Sequence, residues 1–216
     1  DENRRKWFTQ RSNRLNWNTS GFKAYYYNGI PFRLKFPKSY TTAADGKTYP
    51  LYLFFHGVGE KGTIYDNEYQ LYHGGDVHSA AVDNGTFDGF LLYPQSTSAS
   101  GGWSAAQMSI VYNLIVNYLI PQVKVDPNRI LVNGLSGWGS GTWLFTETYP
   151  KLVAGSIPMS SASTQDAAQM SNFIYNPIWL LTGGLDNNPS PYTANLVATA
   201  ATSSGNDFVW HLYTTL

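Results

Sequence analysis

The sequence predicts an α/β three-layer sandwich built on a mostly parallel central sheet, and three observations carry that expectation. Short unbroken apolar runs recur at residues 51–55, 90–94, 130–132 and 178–182, as expected of strands buried on both faces. Between two of them, residues 108–123 carry apolar side chains at 108, 111, 112, 115, 119 and 123, the stripe of a helix packed on a sheet. At the N-terminal end Asn28-Gly29 joins residues 22–27 to 30–36, the strongest hairpin signal in the chain. Strands alternating with helices after an antiparallel hairpin imply right-handed crossovers and a parallel sheet.

Residues 1–20 hold most of the early charge and show no clean periodicity at Trp7, Phe8, Leu15 and Trp17, so they read as an N-terminal arm. The remaining 21–216 form one domain. After the hairpin comes a turn-rich loop over 37–47, then the apolar run 51–55 with a Gly-rich exit, His56-Gly57-Val58-Gly59. Residues 65–84 form a polar, partly helical crossing to the next short strand at 90–94. A Ser/Gly loop over 95–102 precedes the amphipathic helix, and Asp126-Pro127-Asn128 supplies turn chemistry before the strand at 130–132. Further strands are expected at 153–159, 178–182 and 208–214, separated by helices at about 165–173 and 192–203. No internal repeat, long low-complexity segment or second domain is visible.

Composition narrows the function classes. With 14 basic and 14 acidic residues the net charge is zero, so no global field points to nucleic acid or an acidic membrane surface. Charged residues make up only 13% of the 216, against roughly 25% in an average soluble protein. Aromatics reach 16%, and Ser, Thr, Asn and Gly replace charge, a balance suited to a secreted or periplasmic bacterial protein that handles sugars or polymers. The absence of cysteine excludes disulfides, thiolate metal ligands and a thiol nucleophile. No apolar run approaches the ~20 residues of a membrane span, and no signal peptide is visible, so export would require one already removed.

Three segments carry candidate chemistry. The first is Gly134-Leu135-Ser136-Gly137, which lies between a buried strand and a segment, 139–149, that is compatible with a helix. A serine on a tight strand-to-helix turn projects its hydroxyl above the sheet, with the helix N-terminus behind it to favour an oxyanion. The other reading of the same text is a Gly-rich turn with a surface serine. The second segment is His56-Gly57-Val58-Gly59, whose turn can aim the Val58 amide at the point reached by the Gly137 amide. Read more plainly, it is a strand-to-loop turn with His56 as a structural residue. The third is the loop 182–189, where Asp186 follows a strand beyond the serine, the place of a triad acid in the order Ser, Asp, His. A loop Asp before Asn-Pro is also an ordinary turn former. His73 and His78 lie near Asp76, but two histidines five apart with one Asp read as surface or cap residues, so no metal and no cofactor is expected.

The ordered run of motifs resembles the lid-less esterase group of the α/β-hydrolases, which includes polyhydroxybutyrate-depolymerase-like, feruloyl and acetylxylan esterases and predicted peptidases. The matching text is Phe54-Phe55-His56-Gly57-Val58-Gly59-Glu60-Lys61-Gly62, Asp66-Asn67-Glu68, Gln70-Leu71, His73-Gly74, Tyr93-Pro94-Gln95 and Asp126-Pro127-Asn128-Arg129-Ile130. Gly134-Leu135-Ser136, Gly141-Thr142-Trp143, Tyr149-Pro150, Ile157-Pro158 and Pro177-Ile178-Trp179 continue it, so the resemblance spans about residues 22–216. It implies Ser136 as nucleophile, Asp186 as triad acid, the Val58 and Gly137 amides as oxyanion hole, and Trp138, Trp103 and Gln95 as substrate contacts near the pocket mouth.

Two departures qualify it. Trp138 stands where the pattern has a second glycine. The family also places its catalytic histidine after the last strand, and here only Thr215 and Leu216 follow the expected strand, while His211 falls within it. The expectation is therefore a chain truncated at its C-terminal end and impaired by that loss. The function expected is carboxylic ester hydrolysis through an acyl-enzyme, on a small-molecule or polymeric ester that could derive from plant polysaccharide, with no nucleic-acid or membrane partner. The alternatives are a serine peptidase of the same fold and a non-catalytic carbohydrate-binding relative.

Overall fold

The computed structural model describes residues 15–98, 102–136 and 141–215. Eight strands form one sheet in the order β1-β2-β4-β3-β5-β6-β7-β8. They are β1 (Lys23–Tyr27), β2 (Ile30–Lys35), β3 (Tyr49–Phe55), β4 (Phe90–Pro94), β5 (Val125–Leu135), β6 (Gly155–Met159), β7 (Ile178–Gly183) and β8 (Phe208–Tyr213). β1 and β2 are antiparallel and β2 joins β4 antiparallel, whereas all pairings from β4 to β8 are parallel. The mixed sheet with an N-terminal hairpin is the architecture the sequence implies.

The hairpin closes with Tyr27 opposite Ile30, leaving a two-residue loop. Asn28 (φ 43°) and Gly29 (φ 96°) both adopt positive φ, as a primed turn requires, and Asn and Gly are the residues that tolerate it. At the start of β5 the expected turn chemistry survives as an irregularity within the strand. Tyr49 pairs with Val125 and Leu51 with Ile130, so residues 126–129 are displaced from the ladder. There Asp126 accepts from the Asn128 amide and from Arg129 Nε (2.7 Å) at an exposed edge.

Among the described residues the helices that flank the sheet include α1 (Gly75–Asp83), α2 (Ala105–Leu114), α3 (Gly141–Thr148), α4 (Thr164–Gln169) and α5 (Pro191–Ser204). α2 begins at a Ser104 cap that accepts from the Gln107 amide, and its helical path continues to Val123 through a π-turn over Ile115–Leu119. Pro121 explains the wide turn, because a proline lacks the N–H for an ordinary helical bond and its ring crowds the carbonyl four residues earlier.

One face of the sheet buries Leu51, Leu53, Phe55, Phe90, Ile130 and Val132 with α2 and Phe145 of α3. The same layer continues as Ile178 and Leu180 packed with Trp143, Ala194, Val197 and Ala201 of α3 and α5. On the other face Phe54, Leu91 and Tyr93 pack with Phe22, Leu71 and Val82 of α1. Trp17, in the expected N-terminal arm, joins this smaller cluster edge-on to Phe22 (6.2 Å between ring centroids). Towards β7 and β8 this second face is open among the described residues, and Trp179, Val209, His211 and Tyr213 are exposed on it.

The close packing that positions the chemistry lies at the C-terminal end of β5. A Cβ built on Gly134 would stand 2.4 Å from Thr142 Oγ1 and 2.9 Å from the Phe55 carbonyl oxygen, and one on Gly141 would stand 2.7 Å from the Phe55 ring. Strand β5, helix α3 and β3 thus meet at backbone distance. Gly134→Ala is expected to destabilise the fold by about 1–3 kcal/mol, the cost of forcing atoms into a filled core, and chemical denaturation of the variant measures it.

Candidate active site

Ser136 follows β5 immediately and adopts φ 79°, a left-handed conformation that costs a non-glycine residue about 1–2 kcal/mol. Its amide is bonded to the Met159 carbonyl at the end of β6 (2.9 Å), which anchors the turn to the neighbouring strand. Strain of this kind persists only where the surroundings over-determine it, and it is the backbone state of a serine lifted above a sheet. Gly137 and Trp138, expected as an oxyanion donor and a substrate contact, lie outside the described residues.

The turn after β3 is packed against this serine. A Cβ on Gly57 would stand 3.4 Å from Ser136 Cβ and 3.4 Å from the Leu135 carbonyl oxygen, so the two turns lie in van der Waals contact. Both polar groups of Gly57 are fixed. Its N–H donates to Glu60 Oε2 (2.9 Å), and its carbonyl accepts from His56 Nδ1 (2.7 Å). That contact assigns the His56 proton to Nδ1 and leaves Nε2 as acceptor for the Ser96 amide (2.8 Å) and Gln95 Nε2 (3.0 Å). Burial pushes the His56 pKa down, consistent with a neutral ring that braces the turn rather than shuttling protons. Val58 opens the short 3-10 turn that follows Gly57 and lines the same cavity as Ser136.

That cavity has a volume of about 280 Å³ and is bounded by Gly57, Val58, Glu60, Leu135 and Ser136 on one side. Tyr69, Tyr72 and His73 form the other, aromatic side. The rings of Tyr69 and Tyr72 stack at 5.0 Å, and His73 meets Tyr72 edge-on at 4.7 Å. These three residues were not among the expected substrate contacts. The crossing 65–84 carries no periodic signal that would turn them toward the serine; the bond between Glu60 and His73 (Oε1 to Nδ1 3.1 Å), with Arg33 on Asn67 and Leu71 in the core, holds the segment there.

Two expected substrate contacts, Gln95 and Trp103, do not line the Ser136 cavity. Gln95 is fully buried and donates to the Glu60 carbonyl (2.6 Å) as well as meeting His56, so it braces the turn from behind and offers no surface to a substrate. Trp103 is 8% exposed, donates from Nε1 to the His56 carbonyl (3.2 Å) and packs on Phe55. Its remaining surface faces a second cleft with Thr97, Ser98, Ser104 and Gln107, apart from the Ser136 cavity.

Asp186 lies on the loop after β7, half-buried. Its Oδ2 accepts from Ser160 Oγ (2.6 Å) and from the Gly183 amide (3.1 Å). Ser160 itself stands at φ 43° just after β6, with its amide on the Leu181 carbonyl. The loops after β6 and β7 therefore fix one carboxylate oxygen. Among the described residues no histidine is bonded to this carboxylate. His56 is committed to Gly57 and Ser96, His73 to Glu60, and His78 to the Tyr93 and Tyr52 hydroxyls. His211 lies on the exposed face of β8 beside Tyr213. His73 and His78, weighed as metal ligands with Asp76, thus have separate partners, and no group of three metal-ligating side chains converges among the described residues.

No family model matches the chain, and no curated protein does. Solved structures do. The chain is similar to a thermostable esterase at a TM-score of 0.75 and 26% identity, over 89% of this chain and 54% of that one. It is similar to a ferulic acid esterase at 0.66 and 14% identity, covering 88% of each chain. It also matches esterase 2 of Thermogutta terrifontis phosphonylated by sarin, at 0.66 and 12% identity, over 93% and 86% of the two chains. The chain spans about half the length of the thermostable esterase. Together with the strand order, these likenesses show that the chain has the α/β-hydrolase fold.

Proposed function

We propose that the protein is a serine hydrolase that cleaves carboxylic esters, with Ser136 as nucleophile and Asp186 as triad acid. The observation that carries this reading is Ser136 held at φ 79° in a cavity it shares with the Gly57-Val58 turn. In the first half-reaction Ser136 Oγ attacks the ester carbonyl carbon and passes its proton to a histidine. The Val58 and Gly137 amides hold the resulting oxyanion, and the carbon–oxygen bond breaks as the alcohol leaves with that proton. Water then attacks the acyl-enzyme by the same path in reverse. Asp186, fixed through Oδ2, orients the histidine and stabilises its charged form through Oδ1.

Among the described residues no histidine is bonded to Asp186: His56, His73 and His78 have other partners, and His211 lies beside Tyr213 on β8. Hydrolysis of a short aryl ester tests the reading. Esterases among the similar structures, one of them captured with an organophosphorus agent, favour esters over peptides as the substrate class. Side-by-side assay of an aryl ester and a peptide decides between them. The aromatic side of the cavity and the low surface charge suit a secreted or periplasmic enzyme acting on a carbohydrate- or polyester-derived ester.

A further inference from the structure

Glu60 is 2% exposed, yet it is a carboxylate three residues from the turn that faces Ser136. Its two oxygens reach different segments. Oε2 takes the Gly57 amide (2.9 Å), while Oε1 takes both the amide (3.2 Å) and the ring Nδ1 (3.1 Å) of His73. The carboxylate thus ties the turn after β3 to the aromatic segment opposite, across the floor of the cavity. A buried carboxylate needs a compensating charge, and His73 is the partner that supplies it.

We propose that His73 is a positioning residue: its protonated ring neutralises Glu60 and so holds the Gly57-Val58 turn in the state that accepts an oxyanion above Ser136. The inference rests on the ester-cleaving reading, since it assigns the turn its oxyanion role. The physical reason is local. The Gly57 amide that binds Glu60 is one peptide away from the Val58 amide, and an uncompensated carboxylate there opposes negative charge developing on the substrate. When His73 loses its proton, the Nδ1–H can still bond to Glu60, but the cancelling charge is gone.

The surroundings favour the charged ring. The hydrogen bond to Glu60 raises the His73 pKa above its ordinary value against a smaller opposing effect of burial. The titratable groups sharing the cavity with it are Glu60 from the turn and Tyr69 and Tyr72 from the segment before it, while β5 contributes only Leu135 and Ser136 among the described residues. Glu60 is the charged group in direct contact with the His73 ring and favours its protonated form.

Two measurements test this. Backbone amide resonances of Gly57 and Val58, followed by nuclear magnetic resonance against pH, are expected to titrate with the His73 ring at a shared midpoint above about 6.5. In Glu60→Gln the midpoint falls and the coupling disappears. Amides indifferent to the His73 titration overturn the proposal. The second measurement is the rate of Ser136 phosphonylation by an aryl fluorophosphonate. The wild-type rate is expected to fall on the alkaline side of the His73 midpoint. His73→Gln is expected to be about tenfold slower below that midpoint, equal to about 1.4 kcal/mol of transition-state stabilisation, and to lack the fall. His73→Arg restores the rate and removes the pH dependence. Coincident profiles for wild type and His73→Gln overturn the positioning role. Absence of Ser136 labelling at every pH, with the amide titration intact, overturns the esterase reading instead and leaves the Glu60-His73 coupling standing.

Discussion

Ser136→Ala is expected to abolish covalent capture of a fluorophosphonate and to lower aryl-ester hydrolysis by about 10³-fold or more. The size follows from mechanism: without Oγ no acyl-enzyme forms, and only binding and the oxyanion donors remain to assist water. The same substitution should not weaken the fold much. Ser136 sits at φ 79°, which disfavours alanine as it does serine, and its structural bond to Met159 is made by the backbone amide. Intact-mass analysis after labelling, with a thermal melt of the variant, separates the two effects. Full activity in Ser136→Ala overturns the nucleophile assignment.

Asp186→Asn is the second large effect, expected to lower ester hydrolysis by about 10³–10⁴-fold, because an amide holds the histidine in the wrong tautomer and cannot stabilise the imidazolium. The geometry makes this a clean substitution. Ser160 Oγ and the Gly183 amide both donate to Oδ2, and a carboxamide oxygen in that place still accepts from both. The loop therefore keeps its shape while the charge is lost. Equal activity in the variant and the parent would remove Asp186 from the mechanism, whereas a large drop in melting temperature would identify it as a structural turn residue.

The expected effects at the Glu60-His73 pair bear on stability as well as rate. His73 has its pKa raised in the folded chain, so the stability it adds is fully present below the unfolded value of about 6.5 and is lost as pH rises through the folded value. Its ring is about half exposed, so solvent screens part of that contribution. The functional consequence, through the turn beside Ser136, is the sharper readout.

The sequence by itself determined the sheet, the order of its strands and helices, and the residues at its chemical end. The apolar runs at 51–55 and 90–94 became β3 and β4 because strands buried on both faces must be uniformly apolar, whereas 178–182 became β7 with Trp179 exposed on its open face. Asn28-Gly29 became a primed turn because so few residues accept two successive positive φ angles. Ser136 could be singled out because local chemistry, glycines around a strand end, encodes a turn. Which side chains share a cavity with it is a matter of tertiary packing alone. Gln95 and Trp103, polar and aromatic on nearby loops, turned inward to His56, Gln95 meeting its ring Nε2 and Trp103 its backbone carbonyl, since buried polar groups must have their hydrogen bonds met. Tyr69, Tyr72 and His73 share the serine's cavity because the segment 67–73 is held by Arg33 on Asn67, by Leu71 in the core and by Glu60 on His73. No period or motif in residues 65–84 records that contact: it joins Glu60 to His73 across thirteen residues of irregular chain, and only the closed fold decides which polar groups are buried and must find one another.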